Sequence, residues 1–280
     1  MGRRNFFDRL VRTLNFQKEY QKIESLVLQP HSLHGYSIED SIEHYFKDWK
    51  YNANYLSFKE LRDQLGFPFV RDGYYDLPSG IIKDVNDFFD YCEMIINMIV
   101  LLPEEEAEYH GKNVNEIIRL IDYDLDFLNH RIRKIDDKYL IIQKDATASE
   151  VVDIVEDSLA KIILEYNHYL LKGDLEKKKN ILIKIANALE PLKGEIKATN
   201  YQLYKDYFYL INNMDIRHNN CDSSDTSNYN AYFDKLTIKE KEEWYDEIYQ
   251  MGLLIFLLLE NKEKSTKIAN IKNLQSNANK

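Results

Sequence analysis

The stretch SEVVDIVEDSLAKIILEYNHYLLKGDLEKKKNILIKIANALE, residues 149–190, decides the fold class that we predict for this chain. Thr147, which precedes the stretch, and Glu150, which lies within it, have the spacing of a capping box, which marks the start of a helix. Gly173 is a helix-ending residue, and Asp174 directly after it is a favourable N-cap for the next helix. The stretch therefore predicts two consecutive helices, the first of them running to Lys172.

The C-terminal half continues in the same way. Pro191 and Gly194 mark a break, and a third helix is predicted over residues 195–214. Thr237 and Glu240 form another capping box, which opens a fourth helix over residues 238–261. Four helices joined by mostly short turns predict an up-down bundle over residues 146–262. The polar segment after it, residues 263–280, is predicted to be a frayed tail.

The N-terminal residues 1–130 are predicted to form a separate helical block that acts as a sensor or regulatory module. Ser37 and Ser57 are its clearest N-caps, and a helix is also predicted over residues 3–28. Residues 66–80 contain three glycines and two prolines and predict a loop. Between the blocks, apolar residues flank Asp136-Asp137 and predict a small β-hairpin connector over residues 131–145. The fold class is thus all-α with a minor hairpin.

The composition of the chain favours a helical protein and argues against several kinds of partner. The chain has 280 residues, only 9 Gly and 5 Pro, and 21 Tyr, so we expect a helical core in which tyrosine hydroxyls are hydrogen-bonded. A formal net charge of -10 argues against broad DNA binding. Cys92 and Cys221 fit neither a disulfide framework nor a zinc site, which favours a cytoplasmic setting. The most apolar run, residues 251–259, is too short to span a membrane, so no membrane partner is expected.

The stretch NNMDIRHNNCD, residues 212–222, is the main candidate site. The guanidinium of Arg217 matches a phosphate group in shape and charge, and His218 can exchange a proton near neutral pH. The amides of Asn213, Asn219 and Asn220 could serve as substrate-binding donors. These residue types suit metal-free ribonuclease chemistry. The alternative interpretation is that the asparagines end a helix and Arg217 makes a salt bridge.

Residues 147–262 resemble the HEPN superfamily, and more closely its abortive-infection branch of bacterial phage-defence proteins. The resemblance rests on the predicted bundle, the asparagine-rich flank of Arg217 and the aromatic last helix. It implies a helical bundle that is often a dimer, with metal-independent ribonuclease activity in its active members. In the family motif an Arg and a polar residue, here Arg217 and His218, precede a His by four to six residues. This chain has Asp222, Ser223 and Ser224 at those places.

Glu165 and His168, in LEYNHYL, are three residues apart and are predicted to share a helix face. We considered a di-iron bundle, but that site needs two such pairs, and the chain has one. The sharper hypothesis is that Glu165 and His168 face Arg217 and His218 across the bundle, so that His168 supplies the missing imidazole. The plainer alternative is a histidine at the core boundary that bonds to a tyrosine.

Two weaker patterns were weighed as metal sites. Asp122, Asp124 and Asp126 resemble the start of a calcium-binding loop, but the required glycine and the bidentate Glu are missing. His31 and His34 lie in one short loop without a clear third ligand. We therefore predict no metal and no other cofactor.

Two functions follow from these patterns. The first is a cytoplasmic phage-defence protein of the abortive-infection type, whose HEPN-like bundle binds RNA and could cleave it as a metal-independent endoribonuclease. The second is a non-catalytic helical module that binds a protein partner or forms a homodimer in a defence or toxin–antitoxin system. The first is the leading prediction, and the missing motif histidine and the acidic charge are the arguments for the second.

Overall fold

The computed structural model describes residues 14–30, 35–52, 54–72 and 75–278. The helical prediction is confirmed, since most of these residues lie in α-helices and the strands form two two-stranded sheets. The chain divides into two compact units, Met1–Ile141 and Ile142–Lys280. The predicted helix over residues 3–28 is observed from Phe16 onward, and its earlier part lies outside the described residues.

The first unit is built from short helices and one small sheet. Ser37 caps the second helix in a capping box with Asp40, and Ser57 caps the third helix, as their positions in the sequence predicted. The helices are α1 (Phe16–Leu28), α2 (Ile38–Tyr45), α3 (Phe58–Leu65), α4 (Val85–Ile99), α5 (Glu104–Tyr109) and α6 (Gly111–Phe127).

The predicted loop over residues 66–80 is partly wrong, because this segment contains two strands. Strand β1 (Phe69–Asp72) pairs antiparallel with β2 (Tyr75–Pro78), and Val70 lies opposite Leu77. The loop prediction relied on the prolines, which usually interrupt strands. Pro78, however, is the last residue of β2, a position where the missing backbone N–H costs little.

A fully buried arginine joins three helices of this unit. The Arg62 guanidinium donates to Glu39 Oε2 at 2.5 Å, to Glu24 Oε1, and to the backbone carbonyl of Phe67. The Tyr91 hydroxyl donates to the other Glu24 oxygen at 2.7 Å. A buried cation is tolerated only when counter-charges and hydrogen bonds surround it, so this cluster fixes α1, α2 and α3 against one another.

Replacing Arg62 tests how much this cluster contributes. Arg62→Ala leaves two buried carboxylates without their cation, and we expect it to lower the free energy of unfolding by about 3–5 kcal/mol. Urea denaturation followed by circular dichroism measures the change. Arg119→Ala is the matched control, since Arg119 is exposed and pairs only with Glu116 on its own helix. Equal stability of the two variants would contradict a structural role for the buried cluster.

Glu39 adds a pH dependence with a defined sign. Burial raises the pKa of the Glu39 carboxyl from 4.5 to about 7, against the opposing effect of Arg62. The folded chain then holds this proton over a pH range in which the unfolded chain has released it, so Glu39 lowers stability as pH rises from 4.5 to about 7. We expect Glu39→Gln to remove that part of the pH dependence of the urea midpoint. The exposed Glu105→Gln should leave the dependence unchanged; a wild-type slope in Glu39→Gln would show that burial of Glu39 is not its source.

The predicted β-hairpin is confirmed. Strand β3 (His130–Ile135) pairs with β4 (Lys138–Gln143) across Asp136-Asp137. Asp136 has φ 57°, a left-handed conformation that aspartate tolerates better than most residues in tight turns. The Asn97 side chain of α4 bonds to the backbone N–H and C=O of Tyr139 and so anchors β4.

The second unit is a helical assembly whose core is made by its longest helices and their aromatic side chains. Its helices are α7 (Ala146–Val152), α8 (Asp157–Tyr166), α9 (Leu175–Leu189), α10 (Lys193–Thr199), α11 (Tyr201–Asn213), α12 (Ala231–Asp234) and α13 (Ile238–Ala278), with short 3₁₀ turns at Tyr169–Leu171 and Glu190–Leu192.

The single long helix predicted up to Lys172 is wrong. It is divided into α7 and α8, followed by a 3₁₀ turn, and the N-cap is Asp145 instead of Thr147. Val151 and Ile163 are both fully buried. In one straight helix these two residues would point about 120° apart, so the break lets both helices turn an apolar face to the same core.

The expectation of hydrogen-bonded core tyrosines is confirmed for Tyr166 and Tyr249, whereas the buried Tyr207 hydroxyl has no hydrogen-bond partner among the described residues. The rings of Tyr166 and Tyr249 stack at 4.0 Å between centroids. The Tyr166 hydroxyl donates to Asp246 at 2.8 Å, and the buried Lys178 ammonium donates to the same carboxylate at 2.7 Å. Lys178 also pairs with Glu242 at 2.8 Å, so one cation ties α9 to α13.

The frayed tail predicted after residue 262 is instead helical, because α13 continues to Ala278. Two ion pairs at i,i+4 spacing support this extension, Glu260 with Lys264 and Glu263 with Lys267. From Glu263 to Asn277 every residue is exposed.

Candidate functional site

The segment around Arg217 turns back over the end of α11. The helix ends at Asn213, and Asp215 takes a left-handed conformation with φ 54°. The backbone N–H of Arg217 then donates to the Ile211 carbonyl at 3.1 Å, and that of Asn219 donates to the Asn212 carbonyl at 2.9 Å. These bonds satisfy carbonyls that the helix end leaves unpaired, so the turn has a clear structural function.

The Arg217 guanidinium is held by the end of α9 and the residue that follows it. Its Nη1 atom donates to Glu190 Oε2 and its Nη2 atom donates to Asn187 Oδ1, both at 2.5 Å. The side chain is only 16% exposed, whereas that of Glu190 is 43% exposed. Hydrogen bonds from Lys193 and from Arg217 lower the pKa of the Glu190 carboxyl. Arg217 is therefore neutralised by a carboxylate of its own chain.

His218 lies beside Arg217 but does not join this arrangement. Its side chain is exposed, and it has no hydrogen-bond partner among the residues that the structure describes. A general base needs to lie within hydrogen-bond reach of the proton that it removes. His218 is accessible to a substrate, and no group of the described chain holds its ring in one orientation.

The three candidate asparagines are already engaged in the polar loop that follows α11. The Asn219 amide donates to the Asn213 side chain at 2.7 Å, and Asn213 donates to the Tyr209 carbonyl at 2.7 Å. Asn220 donates to Asp225 at 3.1 Å and accepts from the Asp222 backbone at 2.9 Å. These amides close the loop on itself, which is the structural alternative to substrate binding.

Glu165 and His168 do not share a helix face, because α8 ends at Tyr166 and His168 has an extended backbone. His168 forms an isolated antiparallel bridge with Ile142. The premise that the two side chains form one helical pair is therefore wrong.

Arg217 and the segment before His168 contact different levels of α9. Tyr166 packs under Lys178 near the start of α9, whereas Arg217 bonds to Asn187 near its end. Nine residues of helix separate these two levels, about 13 Å of axial rise. Acid–base partners need hydrogen-bond reach or one bridging water, so this separation argues against His168 as the missing imidazole.

The described residues also bear on metals and cavities. Among them, no group of three or more His, Cys, Asp or Glu could hold a metal ion. His31 and His34 lie outside the described part, and the three aspartates from Asp122 to Asp126 lie within α6. The second unit has a shallow apolar crevice, whose lining includes Ile196, Leu203 and Leu258.

Comparison with family models, curated proteins and solved structures found no match. The class of this protein is therefore described from its observed fold: a mostly helical chain of two compact units. None of the helices in the described ranges has both the length and the apolar content that crossing a bilayer requires.

The residues that bind the Arg217 guanidinium were not identified from the sequence. Asn187 and Glu190 lie 30 and 27 positions away in the chain. A single sequence carries no local signal for such a contact. Lys193, which sequence reasoning also missed, pairs locally with Glu190 across the 3₁₀ turn Glu190–Leu192.

A double-mutant cycle tests whether Arg217 and Glu190 interact. Arg217→Ala and Glu190→Ala should show a coupling of about 0.5–1 kcal/mol, as expected for a pair that is partly exposed. Urea denaturation of the wild type, both single variants and the double variant gives the value. The matched cycle pairs Arg217→Ala with Glu195→Ala, whose carboxylate contacts Lys262, and should show no coupling. Equal coupling in the two cycles would rule out a specific contact.

Proposed function

We propose that this protein is a non-catalytic helical interaction module, acting in the cytoplasm within a bacterial defence or toxin–antitoxin system. The observation that carries the proposal is that the Arg217 guanidinium is neutralised by Glu190 and hydrogen-bonded by Asn187. An arginine that bridges two groups of its own chain is a structural residue and offers few free donors to a phosphate. The cellular setting rests on the HEPN resemblance alone.

The surface of the second unit supports a protein partner. Without residues 261–280, which hold five Lys and one Glu, the second unit contains fourteen Lys and Arg against twenty-one Asp and Glu, a formal net charge of −7. This acidic part opposes the approach of an RNA backbone. Tyr201 and Tyr209 on α11 are each about 60% exposed. Exposed tyrosines are typical of protein interfaces, because an aromatic ring buries a large area and its hydroxyl keeps a polar contact.

A second candidate is the HEPN-like bundle that binds RNA and could cleave it without metal. The specific observation in its favour is that Arg217 and His218 remain adjacent at the end of α11, with His218 exposed. Glu190 is itself partly exposed, so a strongly anionic ligand could displace it. On this hypothesis Arg217 would hold the phosphate and His218 would exchange the proton.

Induced expression in a bacterial host distinguishes the two functions. Wild type, Arg217→Ala and His218→Ala would be compared for growth and RNA integrity, with and without phage. A non-catalytic module leaves RNA intact in all three strains, and His218→Ala behaves as wild type. Tyr232→Ala, another exposed side chain of this unit, serves as a surface control.

RNA decay that depends on both Arg217 and His218, but not on Tyr232, would overturn the non-catalytic proposal. It would establish the ribonuclease instead.

A further inference from the structure

Residues 261–278 form the last part of α13, which we name the C-terminal arm. Its side chains from Glu263 to Asn277 are all exposed, and Lys262 contacts Glu195. Asparagine, serine and threonine are frequent in the arm, and these are poor helix formers. Helices in proteins gain most of their stability from packing an apolar face. The arm has such a face, because Ile268, Ile271 and Leu274 recur every third residue and are all exposed.

This face continues along the solvent side of α13 into the body of the unit. Leu254 is 44% exposed, although its neighbours Leu253 and Ile255 are buried. Positions 254, 257, 261, 264, 268 and 271 alternate between three- and four-residue steps, which is the repeat of the two core positions in a coiled coil. Leucine or isoleucine occupies four of these six positions.

The charges along the same helix are arranged in opposite halves. Glu243 and Glu247 are exposed before Leu254, and residues 142–260 as a whole carry the net charge of −7 given above. The arm contains four lysines against one glutamate, a formal net charge of +3. One stretch of helix is therefore acidic at its beginning and both basic and apolar at its end.

We propose that the arm docks antiparallel on α13 of a second copy of this chain, making a two-fold symmetric dimer. An antiparallel arrangement sets the basic arm of each copy on the acidic body of the other. A parallel one would set lysines against lysines. In the register that places Ile268 opposite Leu254, Asn261 lies at the two-fold axis and pairs with its counterpart. Because the two contacts are identical, the interface closes on itself. This inference rests on the proposed function and names its partner.

The exposed length of the helix fits this arrangement. The arm spans 18 residues, about 27 Å of helix, and the part of α13 that belongs to the body spans 23 residues, about 35 Å. The arm of one copy therefore reaches the acidic stretch of the other without passing its end. Lys272 then comes to the level of Gln250, one turn from Glu247.

Analytical ultracentrifugation of the full chain tests the dimer. The test variant is Ile268→Lys with Ile271→Lys, which places charges in the proposed interface. The matched control is Thr266→Lys with Asn273→Lys, which adds the same charge on the opposite side of the same helix. We expect the dissociation constant to rise about 100-fold or more in the test variant and to change less than about tenfold in the control. Circular dichroism confirms that both variants keep their helical content.

Added salt gives a second readout, because screening weakens contacts between a basic arm and an acidic body. We expect the wild-type dimer to dissociate more readily in 1 M than in 0.1 M NaCl, concentrations at which the screening length is about 3 Å and about 10 Å. A dimer that the test variant and the control weaken equally would overturn the proposal, as would a wild-type monomer at micromolar concentration. Sedimentation of that monomer with vesicles of anionic lipid would identify a membrane surface as the occupant instead. None of these outcomes depends on RNA integrity, so failure here is separate from failure of the proposed function.

Discussion

A buried cation must meet fixed counter-charges, and this constraint determines how the helices of each unit are held. Arg62 reaches carboxylates on α1 and α2, and Lys178 reaches two carboxylates on α13. Apolar packing alone tolerates small rotations and shifts between helices. A buried charge without its partner is far more costly, so helices that share such a cluster cannot slide independently.

The same constraint explains the state of the candidate site. Arg217 is mostly buried, and at that depth a guanidinium needs an anion close by. Glu190 supplies this anion from within the chain. Arg217 therefore forms a contact between the α11 turn and the end of α9. Function cannot be inferred from the residue types alone, because the contact that decides it is not local.

Local signals in the sequence predicted local structure well. The capping residues Ser37, Ser57 and Asp174 all hold helix starts, and the alternation around Asp136-Asp137 gave the hairpin. Errors arose where tertiary packing overrides local preference. The break between α7 and α8 lets both helices face one core, and the pairing of β1 with β2 occurs in a segment rich in turn residues. The pairing of Arg217 with Glu190 spans 27 positions and has no sequence signature at all.

The choice between the two candidate functions depends on how strongly Glu190 binds Arg217, because a phosphate would have to displace Glu190 to reach the guanidinium. A phosphate carries more charge than a carboxylate and offers more acceptor oxygens, so it can compete for a guanidinium. Because Glu190 is 43% exposed, its bond to Arg217 is weakened by solvent and is of modest strength. Displacing it, however, also costs the bond to Asn187 and exposes Glu190 to the arriving negative charge. The Glu190 carboxylate, so close to an incoming phosphate, would repel it, which favours the structural function of Arg217.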